Sequence, residues 1–404
     1  KYYRTFEEAE IALQNGEIHT LSSITVQGKN QLINYKNISS SISPVLDNQY
    51  WAIYLNLRKD PSDNPIGPIF FQDTKVRKAI SLAVDREEVI NNALQGIGEE
   101  AVGTIPVKSY FFNLFSIWQG TEDQMYQAQK ILSNEKWEYD SSLSLEDNIN
   151  LATNILINNG MEVNDVVGFF SYNPKLANKL LDETEWKIKN GNKYRTNDKD
   201  EVMEFSLYFV NSFDRLNVAK VVKEDLEKVG INVIIDRREQ PGQDSSPTAP
   251  STWSLEEINN QFLSPRNFEA ILYGMNTFID PDRYELFDST KTMAPGLNIS
   301  GYSSTAQAVI GRPNKKEGES STMQVPKVDN LLEQAQKTDP EQKVLDKRKK
   351  YFEVQEFIGQ DAPVIFLYHP RFIYYYNKNI TKVNLEGASS VEDRFKHIEE
   401  WQIQ

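Results

Sequence analysis

The chain has no cysteine, which excludes a disulfide framework, a thiolate metal site and a cysteine nucleophile. Histidine is nearly as scarce. His19, His369 and His397 stand far apart and form no multi-histidine metal motif, so neither a metal nor any other cofactor is expected. No apolar run approaches the roughly 18 residues that a membrane-spanning helix needs. The Gly-x-Ser-x-Gly elbow, the phosphate-cradling loop and the His-Glu-x-x-His zinc motif are also missing, and no catalytic residue is assigned. Basic residues are outnumbered, 44 Lys and Arg against 58 Asp and Glu, for a net charge of −14. A surface of that sign repels phosphate backbones and anionic lipid, so no nucleic-acid partner is expected.

What is present points to a large globular protein. A length of 404 residues accommodates two or three domains. The 20 Phe, 19 Tyr and 6 Trp fill a sizeable core, and a charged fraction of 25% is ordinary for such chains. Residues 6–16 read as a short amphipathic helix stopped at Gly16, and 50–57 (YWAIYLNL) as a strand. Asp73 or Thr74 caps a helix over about 75–84, and Asp85 caps a second running to about Leu94. The stretches YQAQKILSNEKW (126–137) and KLANKLLDETEW (175–186) share a helix that ends in Trp. Over 203–236 a strand, a helix with Val218, Val222, Leu226 and Val229 on one face, and a second strand form a βαβ unit with a parallel pair. Residues 240–254 and 304–325 read as loops, the latter as a mobile insertion. A helix begins at Asp339-Pro340, and APVIFLYH and FIYYYN are closing strands.

The block at residues 70–106 resembles the signature of bacterial extracellular solute-binding proteins of family 5, the oligopeptide-, dipeptide- and nickel-binding components of ABC importers. The residues that carry it are Asn56, then Phe71, Asp73, Val76, Arg77 and Ala79, then Ala83, Asp85, Arg86 and Ile90, then Gly96, Gly98, Ala101, Gly103, Ile105 and Pro106. Further matches follow in family order: ANKLLDETEW, VVKEDLEKVGINVII, YGMNTFIDPDRYELFDS, GLNISGYSS and the C-terminal run from VDNLLEQAQK to FLYH. The resemblance implies a type II periplasmic-binding fold with two α/β lobes and mixed sheets, of the large cluster with an extra domain. It places residues 1–56 in the C-terminal part of lobe I, 57–367 in lobe II, and 368–404 in a return segment to lobe I. The N-terminal part of lobe I is expected to be absent from this chain.

The same resemblance implies capture of a peptide or other small polar solute between lobes by hinge closure. It implies delivery to an ABC permease, an extracytoplasmic location (periplasmic, or lipid-anchored outside the cytoplasmic membrane), a monomer, and no enzymatic activity. Substrate-binding candidates are Tyr273, Asn276, Thr277, Asp280, Asn298, Tyr302 and Tyr368. In peptide-binding relatives an acidic residue before the Asp-Pro step holds the ligand's amino terminus. Here that position falls near Thr277, beside Asn276, and neither is acidic, which argues against strict recognition of a free amino terminus. Each candidate has a plainer reading: Asp280 and Asp282 as turn or helix caps, Asn298 as a loop former, Tyr302 and Tyr368 as packing residues. Arg77, Asp85 and Arg86 read as caps and ion-pairing groups. Two other functions are weighed: a scaffold or sensor that keeps the fold with an altered pocket, and a carboxylate-based hydrolase.

Overall fold

Two sheets organise the chain, and each is built from strands far apart in sequence. The structure, a computed structural model, describes residues 1, 3, 6–23, 32, 35–44, 49–161, 172–189, 191–210, 212–235, 253–276, 280–311, 320–338, 344–388 and 390–404. The strands used below are β1 (Thr20–Ser23), β2 (Ile38–Ile42), β3 (Gln49–Leu55), β4 (Gly98–Glu100), β5 (Glu204–Phe209), β6 (Asn232–Ile235), β7 (Ala270–Asn276), β8 (Gln307–Gly311), β9 (Thr322–Pro326), β10 (Val364–Pro370) and β11 (Ile373–Asn377). The smaller sheet is antiparallel, β1-β11-β2; the larger is mixed, β4-β10-β3-β7-β5-β6.

The larger sheet is covered on both faces, and the side-chain alternation of β3 explains its central position. Tyr50, Ala52 and Tyr54 enter one core, while Ile53 and Leu55 enter the other. The first face is covered by α7 (Lys327–Lys337) and α8 (Val344–Asp361), which contribute Val328, Leu332, Tyr351, Val354 and Ile358. The second is covered by α2 (Thr74–Ala83), α5 (Pro174–Asp182) and α6 (Phe213–Lys228). A third core, around Trp118, joins α3 (Glu122–Asn134) and α4 (Leu145–Asn158). A short first helix, α1 (Phe6–Gln14), lies beside β1 and sends Leu13 into the second core.

Local chemistry accounts for the expected elements. Asp73 accepts from the Lys75 amide at 2.8 Å and Asp85 from the Glu88 amide at 2.9 Å, so both cap as expected. The helix after Asp85 closes with a π-type turn over Val89–Ala93. The unit β5–α6–β6 is parallel, with Phe205 opposite Val233, and Gly230 ends its helix at a φ of 83°. Both helix-to-Trp stretches place the helix end ahead of the Trp, and Trp186 is buried edge-on to Phe70 at 5.2 Å.

Three features differ from expectation. The helix α4 and the helical stretch Leu255–Leu263 were not anticipated, although Ser144 and Ser254 cap them through the amides of Asp147 and Glu257. The 304–325 stretch is not a plain loop: β8 and β9 form an antiparallel hairpin from Gln307 opposite Pro326 to Gly311 opposite Thr322. The helix start at Asp339-Pro340 lies outside the described residues; α8 is described from Val344. None of the described helices is long and apolar enough to cross a membrane.

The lobe boundaries expected at 56 and 368 do not coincide with the change of sheet. β3 and β10 both belong to the larger sheet, so the chain passes between sheets after Ile42 and before Gln49, and again between Pro370 and Ile373. Pairing of β3 along its full length with β7 holds residues 49–55 with the middle of the chain.

Candidate ligand-binding site

Strand direction defines one edge of the larger sheet as the place where ligand groups can converge. β10 and β7 both run antiparallel to β3, and β5 and β6 run with β7. The carboxyl ends of β5, β6, β7 and β10 and the amino end of β3 therefore lie on one edge. Both passages to the smaller sheet leave from that same edge. In open α/β sheets, ligands bind outside the carboxyl ends of the strands.

Pairing along β3 brings together residues from three distant segments. Gln49 opposes Asn276, and its amide nitrogen donates to the Asn276 Oδ1 at 2.7 Å on the exposed rim. Trp51 opposes Gly274 on β7 and Tyr368 on β10. A Cβ at position 274 would stand 2.6 Å from the Trp51 indole, so the ring lies against bare backbone there. The Trp51 and Tyr368 rings are nearly coplanar in orientation, 8° apart with centroids at 6.2 Å.

Arg215, in the first turn of α6, places its guanidinium 4.6 Å from the centre of the Trp51 ring, a cation–π arrangement. Burial lowers the Arg215 pKa, yet the group stays charged at any physiological pH. Its Nε has no hydrogen-bond partner among the described residues. The Tyr368 hydroxyl is pushed well above its ordinary pKa by burial, which keeps it a neutral donor. The edge thus offers a half-buried aromatic platform, one cation and two neutral amides.

The sequence-derived candidates fall into three groups. Asn276 and Tyr368 share the Trp51 face of the sheet, Asn276 exposed at the rim and Tyr368 buried against Trp51, whereas half-buried Tyr273, opposite Ala52, packs against the core on the other face. Thr277 lies outside the described residues. Asp280, Asn298 and Tyr302 have other work. The Asp280 carboxylate accepts from the Asp282 amide at 2.9 Å and lies 3.7 Å from Lys347, the geometry of a turn cap.

Asn298 and Tyr302 do not line a cleft. Asn298 is fully buried: its amide donates to the carbonyls of Asp288 and Tyr302, and its Oδ1 accepts from the Tyr302 amide at 3.0 Å. Tyr302 is buried as well and donates its hydroxyl to Asp361 at 2.6 Å. Gln49, Gly274 and Arg215 were missed. Their sequence signals are ordinary, and strand register alone gives them their positions.

The family-motif arginines bind backbone rather than ligand. Arg77 donates to the carbonyls of Phe71, Gln72 and Asp361, and Arg86 to those of Phe366 and Ala101. These bonds tie α2 to the end of α8 and the turn after Asp85 to β10. Asn56 does similar work, donating to the carbonyls of Arg266 and Phe268. His369 donates from Nδ1 to the Gln49 carbonyl at 2.9 Å and is not part of any cluster of metal-ligand side chains among the described residues. The cluster present among the described residues, His397 with Glu399 and Glu400, lies at the surface.

Comparison with known proteins fits this architecture. The oligopeptide-binding protein AppA of Bacillus subtilis is 25% identical over 339 residues, covering 82% of this chain and 44% of that protein. Its solved structure, in complex with a nonapeptide, aligns with a TM-score of 0.60 at 21% identity, over 98% of this chain and 58% of that one. NikA of Brucella suis, solved with Fe(III)-EDTA, aligns at 0.62 with 16% identity, over 100% of this chain and 61% of that one. The chain thus spans about half the length of the relatives it matches. These likenesses establish the type II periplasmic-binding α/β fold. The model of bacterial extracellular solute-binding proteins, family 5 (middle), matches residues 1–296, and the chain belongs to that family.

Proposed function

We propose that the chain is the solute-gripping part of an extracytoplasmic substrate-binding protein of an ABC importer. The observation that carries this reading is the shared strand edge. The carboxyl ends of four strands, both passages to the second sheet, and the Trp51–Arg215–Tyr368 group with Gln49 and Asn276 all meet there. The two sheets then belong to two lobes, lobe I carrying the smaller and lobe II the larger. A solute held between them favours the closed arrangement by the contacts it makes with both, and a membrane permease reads that arrangement. Such a protein works as a monomer and binds without chemistry.

The ligand class is a peptide or another small polar solute. Relatives of this fold were solved with a nonapeptide and with a metal chelate, so the fold alone does not select the ligand. Of the sequence-derived candidates, Asn276 and Tyr368 are retained for this site and Trp51, Gln49 and Arg215 are added. A neutral Asn276 at the rim suits a hydrogen-bonded ligand group better than a free ammonium, which calls for a carboxylate.

The test is ligand-dependent stabilisation. A true ligand at a hundredfold excess over its Kd stabilises the protein by about 2.7 kcal/mol, read as a saturable rise in melting temperature. Mass spectrometry of what co-purifies with the protein identifies candidates, and a peptide and polar-solute panel extends them. Arg215→Ala and Asn276→Ala should each weaken the response about tenfold or more while leaving the unliganded melting curve in place. A flat response across the panel, with no co-purifying solute, sinks the reading.

A further inference from the structure

The passage from β10 to β11 is very short. Pro370 closes the larger sheet, opposite Gly98 on β4. Phe372 already belongs to the smaller one. Its carbonyl accepts from the Ser43 amide at 2.9 Å, and its own amide donates to the Ser43 hydroxyl at 2.9 Å. The next pair, Ile373 opposite Ile42, begins the β2–β11 ladder. The Phe372 ring is fully buried in a core with Tyr374 and Leu385. Arg371 therefore stands between two hydrogen-bonded frames. The other passage has residues 44–48 between its frames and restricts the sheets less.

Each residue brings two soft backbone torsions, while the peptide planes on either side are stiff. Turning one sheet against the other at this passage falls on φ and ψ of Arg371. The Arg371 guanidinium is ion-paired with the Glu99 carboxylate, on β4 of the larger sheet. Glu99 opposes His369 in the ladder and also holds Lys108 at 3.4 Å. The Arg371 and Glu99 side chains are partly buried, 29% and 23% exposed, so salt screens them less than a fully exposed pair. The two torsions act differently on this pair. Rotation about N–Cα swings the Arg371 side chain relative to Glu99. Rotation about Cα–C moves only the residues that follow, and the ion pair stays in place. The pair opposes the first torsion and leaves the second free.

We propose that Arg371 is the pivot of this passage and that its ion pair with Glu99 is a positioning device. By holding φ, it makes the two lobes turn along a single arc about ψ. The proposal deepens the reading of a solute gripped between two lobes and rests on it. A joint with one free torsion presents the same face of lobe I to the strand edge at every closure. It also gives up less freedom on closing than a loose joint does, which favours binding.

The chain has no cysteine, so paired spin labels go only where they are placed. Lys378→Cys, in the exposed turn after β11, with Lys179→Cys, exposed on α5, labels the two lobes. Lys179→Cys with Lys337→Cys, exposed on α7, is the control within the larger-sheet unit. Pulsed dipolar spectroscopy of the full chain, with no solute added, reads the spread of each distance. The inter-lobe spread of the parent should exceed that of the control. Arg371→Ala and Glu99→Gln should each widen it about twofold, as a second torsion is released. The double variant should be no wider than either single one, because both remove the same interaction. Arg371→Lys, which keeps the cation, should stay close to the parent. Glu99→Gln conserves shape and carries the test if Arg371→Ala lowers the melting temperature. An inter-lobe spread wider than the control but unchanged in both single variants overturns the proposal and spares the two-lobe reading. Widening that adds in the double variant overturns it as well. A spread no wider than the control in every form overturns both.

Discussion

His369 shows how burial sets the behaviour of a single residue. It sits in β10, beside the strand edge, and is almost fully enclosed. Burial lowers its pKa to about 4, against the opposing influence of its bond to the Gln49 carbonyl and of the nearby Glu99 carboxylate. A histidine in an unfolded chain titrates near ~6.5. Between those two values the unfolded chain binds a proton that the folded one refuses. Stability from this residue is therefore complete above about pH 6.5 and is lost as pH falls toward 4, by about 3 kcal/mol at most. Urea denaturation at pH 7 and pH 5 should show the loss, and His369→Asn, which keeps a donor for Gln49, should flatten it. An equally steep fall in the variant would assign the pH dependence to other groups.

At the scale of elements, close approach of backbones matters more than side-chain pairing. Gly359, in α8, faces the Ser116 carbonyl so closely that a Cβ would collide with it. That approach seats the 3-10 turn Leu114–Ile117 against α8, where Asn113 also bonds the carbonyl of Phe352 and the carboxylate of Glu356. Gly359→Ala must push the two elements apart, with an expected loss of about 1–3 kcal/mol, readable as a lower urea midpoint. A variant as stable as the parent would mean that the contact yields easily. The same logic applies to β3 and β7, where Gly274 admits the Trp51 ring. The helices themselves were legible because capping is local: Asp73 and Asp85 are recognisable as caps without knowing what they pack against.

At the scale of the whole molecule, four cores share the described residues unequally. One core runs from the larger sheet into the smaller, joining Ile53 and Leu367 with Leu13, Ile38 and Tyr375. The two sheets should therefore lose structure together. The core around Trp118, Leu132 and Leu156 is made almost wholly by residues 102–161 and should open on its own. Hydrogen-exchange mass spectrometry is expected to find the amides of α3 and α4 exchanging faster than those of β3, β7 and β10. Equal protection throughout would show a single cooperative unit.

The sequence by itself determined the family, the α/β class, the βαβ unit and the main caps, because each is written in short-range patterns of spacing and residue type. It also held the caps of α4 and of the Leu255 stretch, Ser144 and Ser254, though these were passed over in polar, Asn-rich segments. What only the tertiary structure decided is which residues meet. Asn298 and Tyr302 sit in a motif-like loop yet turn inward, because their polar groups are satisfied by Asp288, Asp361 and each other. Gln49 and Arg215 carry no sequence signal, yet β3 and the start of α6 set them along one edge with Asn276. Strand register and burial are long-range properties, fixed by pairing between segments hundreds of residues apart, and no local pattern encodes them.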